Sequence, residues 1–271
     1  MRDVSENPVE FHNEGCFSEF QQREIKLGIE AGLDTSVYAL EYFRASQMKA
    51  IRLGMLAHVD VSVYAKPEYD YEQMDELRLA MENEVPVRLL LEMPYSAQVM
   101  REIRIGCQEN TDISFFAKDG YDAYQLHELR MGVKHCVDIM QYLLHEFSGE
   151  QMEQIRLGLE KGLEVGSYCQ VGFSPAQMEQ IRLGLESGAD VEEYADPFVE
   201  AEQMRQMRQG MEHCSEEAAS ELNEAQTGEI LAGLVSGVDV SIYADAKYPP
   251  ETMRQIRIGL EKGQNISTFL M

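Results

Sequence analysis

The chain has 271 residues, 44% of them hydrophobic, which is enough for one large domain or two ordinary ones. Its 48 acidic and 23 basic residues give a formal net charge of −25 at pH 7. This balance argues against direct nucleic-acid binding, which depends on lysine and arginine, and against attraction to an anionic membrane. A strongly negative field favours basic protein partners, and a merely well-solvated surface is the alternative interpretation.

The cysteines and the N-terminus indicate a reducing compartment. The five cysteines are odd in number, widely spaced and form no C-x-x-C, so they predict neither a disulfide framework nor a zinc cage. Residues 1–15 lack the apolar segment of a signal peptide, and no apolar run reaches the length of a membrane span. We therefore expect a cytoplasmic protein with an N-terminal extension over residues 1–15.

A repeat of 26 residues runs through the rest of the chain. The basic residue of the phrase "IRLG" marks each unit, beginning at Lys26, and successive units are 26 residues apart. One step of 23 residues leads to Leu231, after which the spacing of 26 returns. The arginines at this position are Arg52, Arg78, Arg104, Arg130, Arg156, Arg182, Arg208 and Arg257. Ten such units cover residues 16–271.

In chain order, each unit predicts a long helix followed by a short one. An N-cap residue stands eight positions before the anchor, and a glutamine three positions after the cap completes a capping box in six units. The long helix is expected to end at a glycine in the left-handed conformation. An aspartate then caps a short helix whose tyrosine, for example Tyr64, faces inward. The terminating glycines are Gly32, Gly162, Gly188, Gly237 and Gly263.

A second glycine lies inside the long helix in nine of the ten units, as at Gly158. Glycine in a helix interior costs roughly 0.5–1 kcal/mol relative to alanine, so its recurrence needs a shared reason. We expect the backbone of the neighbouring helix to approach closely at this position.

These elements predict an all-α fold: an α-solenoid of ten tandem helical-hairpin repeats, since neither helix can bury its apolar face alone. Residues 16–271 are expected to form one domain. The shortened step predicts an irregular joint near residues 214–224, where the segment "EEAASELNEAQ" lacks the proline and the aromatic residue. The third unit also deviates, with Ala80 in the glycine position.

The repeated arginine is the most conspicuous candidate site. An acid stands eight residues after it in most units, for example Asp34 after Lys26 and Asp60 after Arg52. Stacking is expected to bring each arginine beside such an acid of an adjoining unit, which would give a ladder of partly buried ion pairs. The alternative is a ladder of arginines open to an anionic ligand.

Two segments concentrate negative charge and are the candidate interaction surfaces. They lie within residues 66–92 and 196–224, each with eight acids against two or three bases. Ordinary solvated faces are the alternative. The candidate residues are Asp70, Glu72, Asp75, Glu76, Glu212, Glu216, Glu217, Glu221 and Glu224.

No motif for catalysis, phosphate binding or metal binding is present. The pairs His135–Cys136 and His213–Cys214 occupy equivalent positions three units apart, which is too far for a shared zinc ion within one chain. We expect no catalytic residue, no cofactor and no metal.

The phrases "QMEQIRLGLEKGLEVGSY" and "DVSVYAKPEY" resemble a short tandem repeat of uncharacterised proteins of gut bacteria and their mobile elements. The resemblance covers nearly the whole chain, and it implies no activity or functional residues. Some of these proteins are encoded beside antirestriction genes.

The leading functional hypothesis is a non-catalytic interaction protein that binds a basic protein surface. Its sharper form is a DNA mimic that occupies the basic groove of a nuclease or another DNA-binding protein. The alternative is a general peptide- or protein-binding repeat scaffold that uses its concave face.

Overall fold

The computed structural model describes residues 17–218, 222–266 and 269, with the backbone alone over residues 213–218. The described residues contain twelve α-helices and no β-strand, which confirms the all-α prediction. None of the described helices is long and apolar enough to cross a membrane. The chain divides into two compact units, residues 1–126 and 127–271. The predicted extension, residues 1–15, lies outside the described residues.

The first unit contains six complete helices. They are α1 (Glu19–Glu30), α2 (Ala45–Leu56), α3 (Tyr71–Glu82), α4 (Arg88–Leu91), α5 (Ala97–Gln108) and α6 (Ser114–Asp119). Helix α7 (Ala123–Lys134) begins in the first unit and ends in the second. The second unit continues with α8 (Gly149–Glu160), α9 (Pro175–Ser187), α10 (Ala201–Ala218), α11 (Glu224–Val235) and α12 (Pro250–Glu261).

The predicted short helix is a single 3₁₀ turn of three residues in most repeats. These turns are Thr35–Val37, Val61–Val63, Ile139–Gln141, Val165–Ser167, Val191–Glu193 and Val240–Ile242. The short helices α4 and α6 stand in the corresponding places of the third and fourth repeats. Within the first unit, α1 packs on α2, α2 on α3 and α3 on α5; within the second, α8 to α12 pack in chain order. Packing in sequence order is compatible with a helical repeat.

The capping predictions are confirmed. Ser18 and Ser148 are among the N-cap residues whose side chains accept the N3 amide, while the N3 glutamine accepts the N-cap amide. Asp122 and Gln125 exchange the same two bonds. Gly32 and the four equivalent glycines have φ between +62° and +77°.

The prediction that the glycines inside the long helices allow close approach of a neighbouring helix backbone is wrong. At Gly158 the nearest atom to an added Cβ would be the hydroxyl of Tyr168, at 2.0 Å, and Tyr168 belongs to the same repeat. That hydroxyl donates to the carbonyl of Gln154 at 3.2 Å. Because glycine has no Cβ, it leaves this carbonyl open to the tyrosine. The same arrangement recurs at Gly28, Gly54, Gly132, Gly184 and Gly233.

The third repeat supports this account. Leu90 is fully buried in the place of the tyrosine, and Ala80 stands in the place of the glycine. Leucine has no hydroxyl to bring to the backbone, so the helix tolerates a methyl group at this position. In this repeat the glycine and the tyrosine are exchanged together for alanine and leucine. The fourth repeat keeps Gly106 with Phe116 in the place of the tyrosine, and there an added Cβ would meet the carbonyl of Thr111 at 2.8 Å.

The joint near residues 214–224 differs from the other repeats. Helix α10 continues to Ala218, whereas the preceding helices end after 12 or 13 residues. No 3₁₀ turn is described between α10 and α11, and residues 219–221 lie outside the described residues. Leu234 of α11 packs on Gly210 in place of a tyrosine.

Candidate functional site

Several of the repeated arginines form ion pairs between successive long helices, as expected, but with other partners. Arg156 Nε donates to Glu128 Oε2 at 2.6 Å, and Arg257 Nε donates to Glu229 Oε2 at 3.0 Å. Each partner lies 28 residues earlier, in the long helix of the preceding repeat. Arg52 pairs with Glu24 and Arg104 pairs with Glu76 in the same way.

The expectation that the arginines pair with the acids of the capping positions is therefore wrong. Most of those carboxylates accept hydrogen bonds within their own short turns. Asp34 Oδ1, for example, accepts hydrogen bonds from the amide and the hydroxyl of Ser36. The acid that meets the arginine is instead the long-helix residue two positions before the anchor of the preceding unit. The sequence contains this acid, but the spacing of 28 residues becomes visible only when the helices are packed.

Neutral residues replace the acid in part of the ladder. Arg182 Nε donates to Gln154 Oε1 at 3.0 Å, and Arg208 faces Gln180 at 3.3 Å. Arg78 would meet Ala50, and it pairs within its own helix with Asp75 at 3.0 Å. Arg130 is 5% exposed. The ladder consists of buried or half-buried guanidinium groups that already have partners, which supports its structural interpretation.

Glu128 is the most deeply buried acid of the ladder, at 1% exposure. Burial raises the pKa of its carboxyl above the ordinary value of 4.5, and the hydrogen bond and charge of Arg156 oppose that rise. Arg156 also donates to Glu160 of its own helix at 2.5 Å, and Glu160 contacts His135 at 2.6 Å. Removal of the arginine would leave Glu128 without its compensating charge.

The predicted glutamines do more than cap. Gln177 accepts the amide of Ser174 and donates through Nε2 to the carbonyl of Val199 at 2.6 Å, 22 residues further on. Gln21, Gln47, Gln73, Gln151 and Gln226 make the equivalent bond to the loop of the following repeat. Each glutamine therefore joins two successive repeats.

Most of the predicted acidic residues of the first unit already form ion pairs or hydrogen bonds within the chain. Glu76 is 3% exposed and binds Arg101 and Arg104, so its carboxylate is not available to a partner. Asp75 pairs with Arg78. Glu72 accepts the hydroxyl of Tyr71. Asp70 is exposed and caps α3.

The second predicted cluster is described only in part. Glu212 binds Arg208 through both carboxylate oxygens at 2.8 Å. Glu224 is exposed in the first turn of α11. The side chains of Glu216 and Glu217, and the whole of Glu221, lie outside the described residues.

A different set of acids faces solvent, and we name it the cap carboxylates. Its members hold the position that precedes the short turn or helix in seven of the repeats, and all of them are exposed. The third repeat has Pro86 at this position and the last has Asn265. They are Asp34, Asp60 and Asp112 in the first unit and Asp138, Glu164, Asp190 and Asp239 in the second. Within the described part of the chain, none of them forms an ion pair with lysine or arginine. Hydrogen bonds from Ser36 and Ser62 lower the pKa of Asp34 and of Asp60, so both stay charged well below neutral pH.

Sequence reasoning assigned the cap carboxylates to the arginines and so missed them as a surface. The pattern that could have indicated their role is an aspartate two residues before a serine, as in Asp34–Ser36, Asp60–Ser62 and Asp239–Ser241. In this pattern the carboxylate accepts hydrogen bonds from the amide and hydroxyl of the serine, and among the described residues no lysine or arginine neutralises its charge.

Among the described residues, no group of three or more potential metal ligands converges, and the side chains of His213 and Cys214 lie outside these residues. Cys136 is exposed with φ +58°, at the position where other repeats have the terminating glycine. Its neighbour His135 binds Glu160.

The chain matches no protein-family model, and neither the curated proteins nor the solved structures contain a significant match to it. The resemblance to the repeats of gut bacteria and their mobile elements therefore stays a prediction.

Proposed function

We propose that the chain is a non-catalytic interaction protein whose acidic surface binds a basic protein in the cytoplasm. The observation that supports this most is the set of cap carboxylates, which are exposed and form no ion pair with lysine or arginine among the described residues. A carboxylate that is fixed by its own turn loses little conformational freedom when it meets a lysine or arginine of a partner.

The distribution of charge favours this function over simple solubility. Some acids of the long helices, such as Glu76 and Glu128, are paired with arginines of the ladder, whereas the cap carboxylates form no ion pair with lysine or arginine among the described residues. Seven repeats thus add a negative group at the same position, and complementary charge accelerates association with a basic surface.

The sharper form of the proposal is a DNA mimic built as an α-solenoid of ten repeats. In such a fold the cap carboxylates of successive repeats would follow one another along one edge, as phosphates do along a nucleic-acid strand. The partner would be a nuclease or another DNA-binding protein, which the chain would inhibit by competition with DNA.

The test is inhibition of DNA cleavage by purified restriction endonucleases, measured over a range of salt concentrations. We expect inhibition that weakens as the salt concentration rises, because screening reduces the attraction between exposed charges. Inhibition that persists at high salt, or that leaves DNA binding by the nuclease unchanged, would contradict the mimic.

A peptide-binding scaffold is the second candidate, and one feature favours it. A surface cavity of about 520 Å³ opens beside Gly210, with Leu234, Val238 and Val240 as its apolar walls. Gln206, Gln209, Asp239 and Ser241 also line it. Binding there would depend on apolar contact and would respond weakly to salt. A partner whose binding survives high salt and is lost on Val238→Asp would favour this function.

A further inference from the structure

The amino-terminal ends of α2 and α3 border a surface cavity of about 310 Å³ in the first unit, which we name the tyrosine notch. Its walls include Tyr42, Arg44, Pro67, Glu68, Asp70 and Tyr71. It lies at the amino-terminal ends of the long helices, whereas the cap carboxylates follow their carboxyl-terminal ends. The notch is therefore a separate surface.

The two outer tyrosines of the notch are exposed, unlike the tyrosines of the short turns. Tyr42 is 58% exposed and Tyr71 is 46% exposed, whereas Tyr38 and Tyr64 are fully buried. Exposed aromatic rings bind cations through their π-faces. Lys66 illustrates this beside the notch, because its Nζ lies 6.0 Å from the ring centroid of Tyr69.

The charge of the notch is mainly negative. Glu68 and Asp70 are exposed, and within the described residues neither forms an ion pair with lysine or arginine. Tyr71 donates its hydroxyl to Glu72 at 3.0 Å. That bond and the charges of Glu72, Asp70 and Asp75 raise the pKa of the Tyr71 phenol. Aromatic faces beside unpaired carboxylates are the surroundings that a guanidinium or ammonium group requires.

Arg44 is the basic residue of the notch, and it occupies the N-cap position of α2. Its side chain makes no capping bond, although the equivalent position of other repeats holds a serine or an aspartate that caps. Arg44 is exposed, and among the described residues no carboxylate pairs with it. It can therefore move aside for an incoming cation or be replaced without loss of a contact.

We propose that the tyrosine notch binds an arginine or lysine side chain of the basic partner between Tyr42 and Tyr71, with Glu68 and Asp70 as its counter-ions. This inference rests on the proposed function, because it assumes a basic protein partner. It adds an anchor to a surface whose other charges would contribute mainly to the rate of association. The competing occupant is an anionic group bound by Arg44, and the test separates the two.

The experiment titrates the full chain with a short oligo-arginine peptide and with an oligo-lysine peptide of equal length, by calorimetry at low and at moderate salt. The variants are Tyr42→Ala, Tyr71→Ala and Arg44→Ser. Phe198→Ala is the matched control, since Phe198 is 95% exposed and holds the position of Tyr42 in a later repeat. All four side chains are exposed, so the fold should be retained, and circular dichroism verifies it.

We expect each tyrosine variant to weaken peptide binding by about three- to fivefold, in line with an exposed cation–π contact, and Phe198→Ala to leave it unchanged. Arg44→Ser should strengthen binding by roughly two- to fourfold, because a like charge is removed. Binding to the wild-type chain with no difference between the tyrosine variants and Phe198→Ala would overturn this inference and leave the proposed function standing. An oligo-glutamate peptide of equal length serves as the anionic probe. Tighter binding of this peptide than of oligo-arginine, lost in Arg44→Ser, would also overturn the inference, since the arginine would then be a ligand for an anion. Absence of binding to the wild-type chain would overturn the proposed function itself.

Discussion

The joint between α8 and α9 is polar, whereas the joint between α10 and α11 is mainly apolar and includes an exposed hydrogen bond from Gln203 to the Val235 carbonyl. In the first, Arg182 donates to Gln154 and Gln151 donates to the carbonyl of Phe173, so two side chains join the repeats. In the second, Leu231 stands in the place of the arginine and Leu234 packs on Gly210.

The length of the repeat explains the difference. The arginine reaches a residue 28 positions earlier, and this geometry requires the regular step of 26 residues. The step of 23 residues before α11 removes that register, and the sequence has Leu231 in the place of the arginine. A shortened repeat therefore changes the chemistry of the joint as well as its length.

The largest effect is expected from Arg156→Met, because it leaves Glu128 buried without its partner. Breaking a buried pair in this way costs about 3–5 kcal/mol of the free energy of unfolding. Arg182→Met is the matched variant, and it should cost only about 1–2 kcal/mol because Arg182 faces the neutral Gln154. Chemical denaturation of the two variants measures the difference.

The pH dependence of the stability of these two variants tests whether the buried Glu128 carboxylate causes the loss in Arg156→Met. Burial raises the pKa of Glu128, so loss of Arg156 raises it further. A glutamate with a raised folded pKa stabilises the fold at low pH and loses that contribution as the pH rises. The loss in free energy of unfolding caused by Arg156→Met should therefore grow from pH 4.5 towards pH 7. The loss caused by Arg182→Met should grow less over the same range. Equal deficits at every pH, or no rescue by adding Glu128→Met, would refute the role of the buried carboxylate.

Gly158→Ala should have the next largest effect, because the added methyl group would meet the hydroxyl of Tyr168. Overpacking of this kind costs about 1–3 kcal/mol. Tyr168→Leu should recover part of that loss in the double variant, since Ala80 and Leu90 form the same combination in the third repeat. A double-mutant cycle from thermal or chemical unfolding gives the coupling energy.

Gly228→Ala is the control for this prediction. Gly228 lies in α11, and a Cβ at this position would have no neighbour within 4 Å. The substitution should stabilise the chain by about 0.5–1 kcal/mol through helix propensity. If Gly158→Ala were also stabilising, the pairing of glycine with tyrosine would have no energetic importance.

A smaller difference in stability is expected between substitution of a glutamine at a regular joint and substitution of a glutamine at the irregular joint. Gln177→Met removes a capping bond and the bond to the Val199 carbonyl, at a cost of about 1–2 kcal/mol. Gln203→Met removes one exposed bond to Val235 near the irregular joint and should cost less than about 1 kcal/mol. Equal losses in the midpoint of denaturation would show that the polar contacts of the regular joint have no special importance.

Local features of the fold could be predicted from the sequence because they depend on residues close together in the chain. The capping box at Ser148 and the left-handed Gly162 are examples. Contacts across repeats could not be predicted, because they depend on how one helix is rotated against the next. The arginine was therefore paired with the wrong acid, and the glycine was explained by a neighbouring helix although it contacts Tyr168.

The candidate site was predicted only in part, for a related reason. Clusters of acids in the sequence, such as Asp75 and Glu76, are drawn into ion pairs once the helices pack. The cap carboxylates are separated by the length of the repeat, so no local count of charge reveals them as one set.

The most direct test of the account compares two charge-matched triple variants of the second unit in the cleavage assay. Asp138→Asn, Asp190→Asn and Asp239→Asn together remove three cap carboxylates, and asparagine retains the ability to cap the turn. Glu146→Gln, Glu150→Gln and Glu251→Gln remove the same number of exposed acids elsewhere in the unit. We predict that the first variant loses inhibition of the nuclease and the second retains most of it. Equal inhibition by the two variants would contradict the claim that the cap carboxylates are the binding surface.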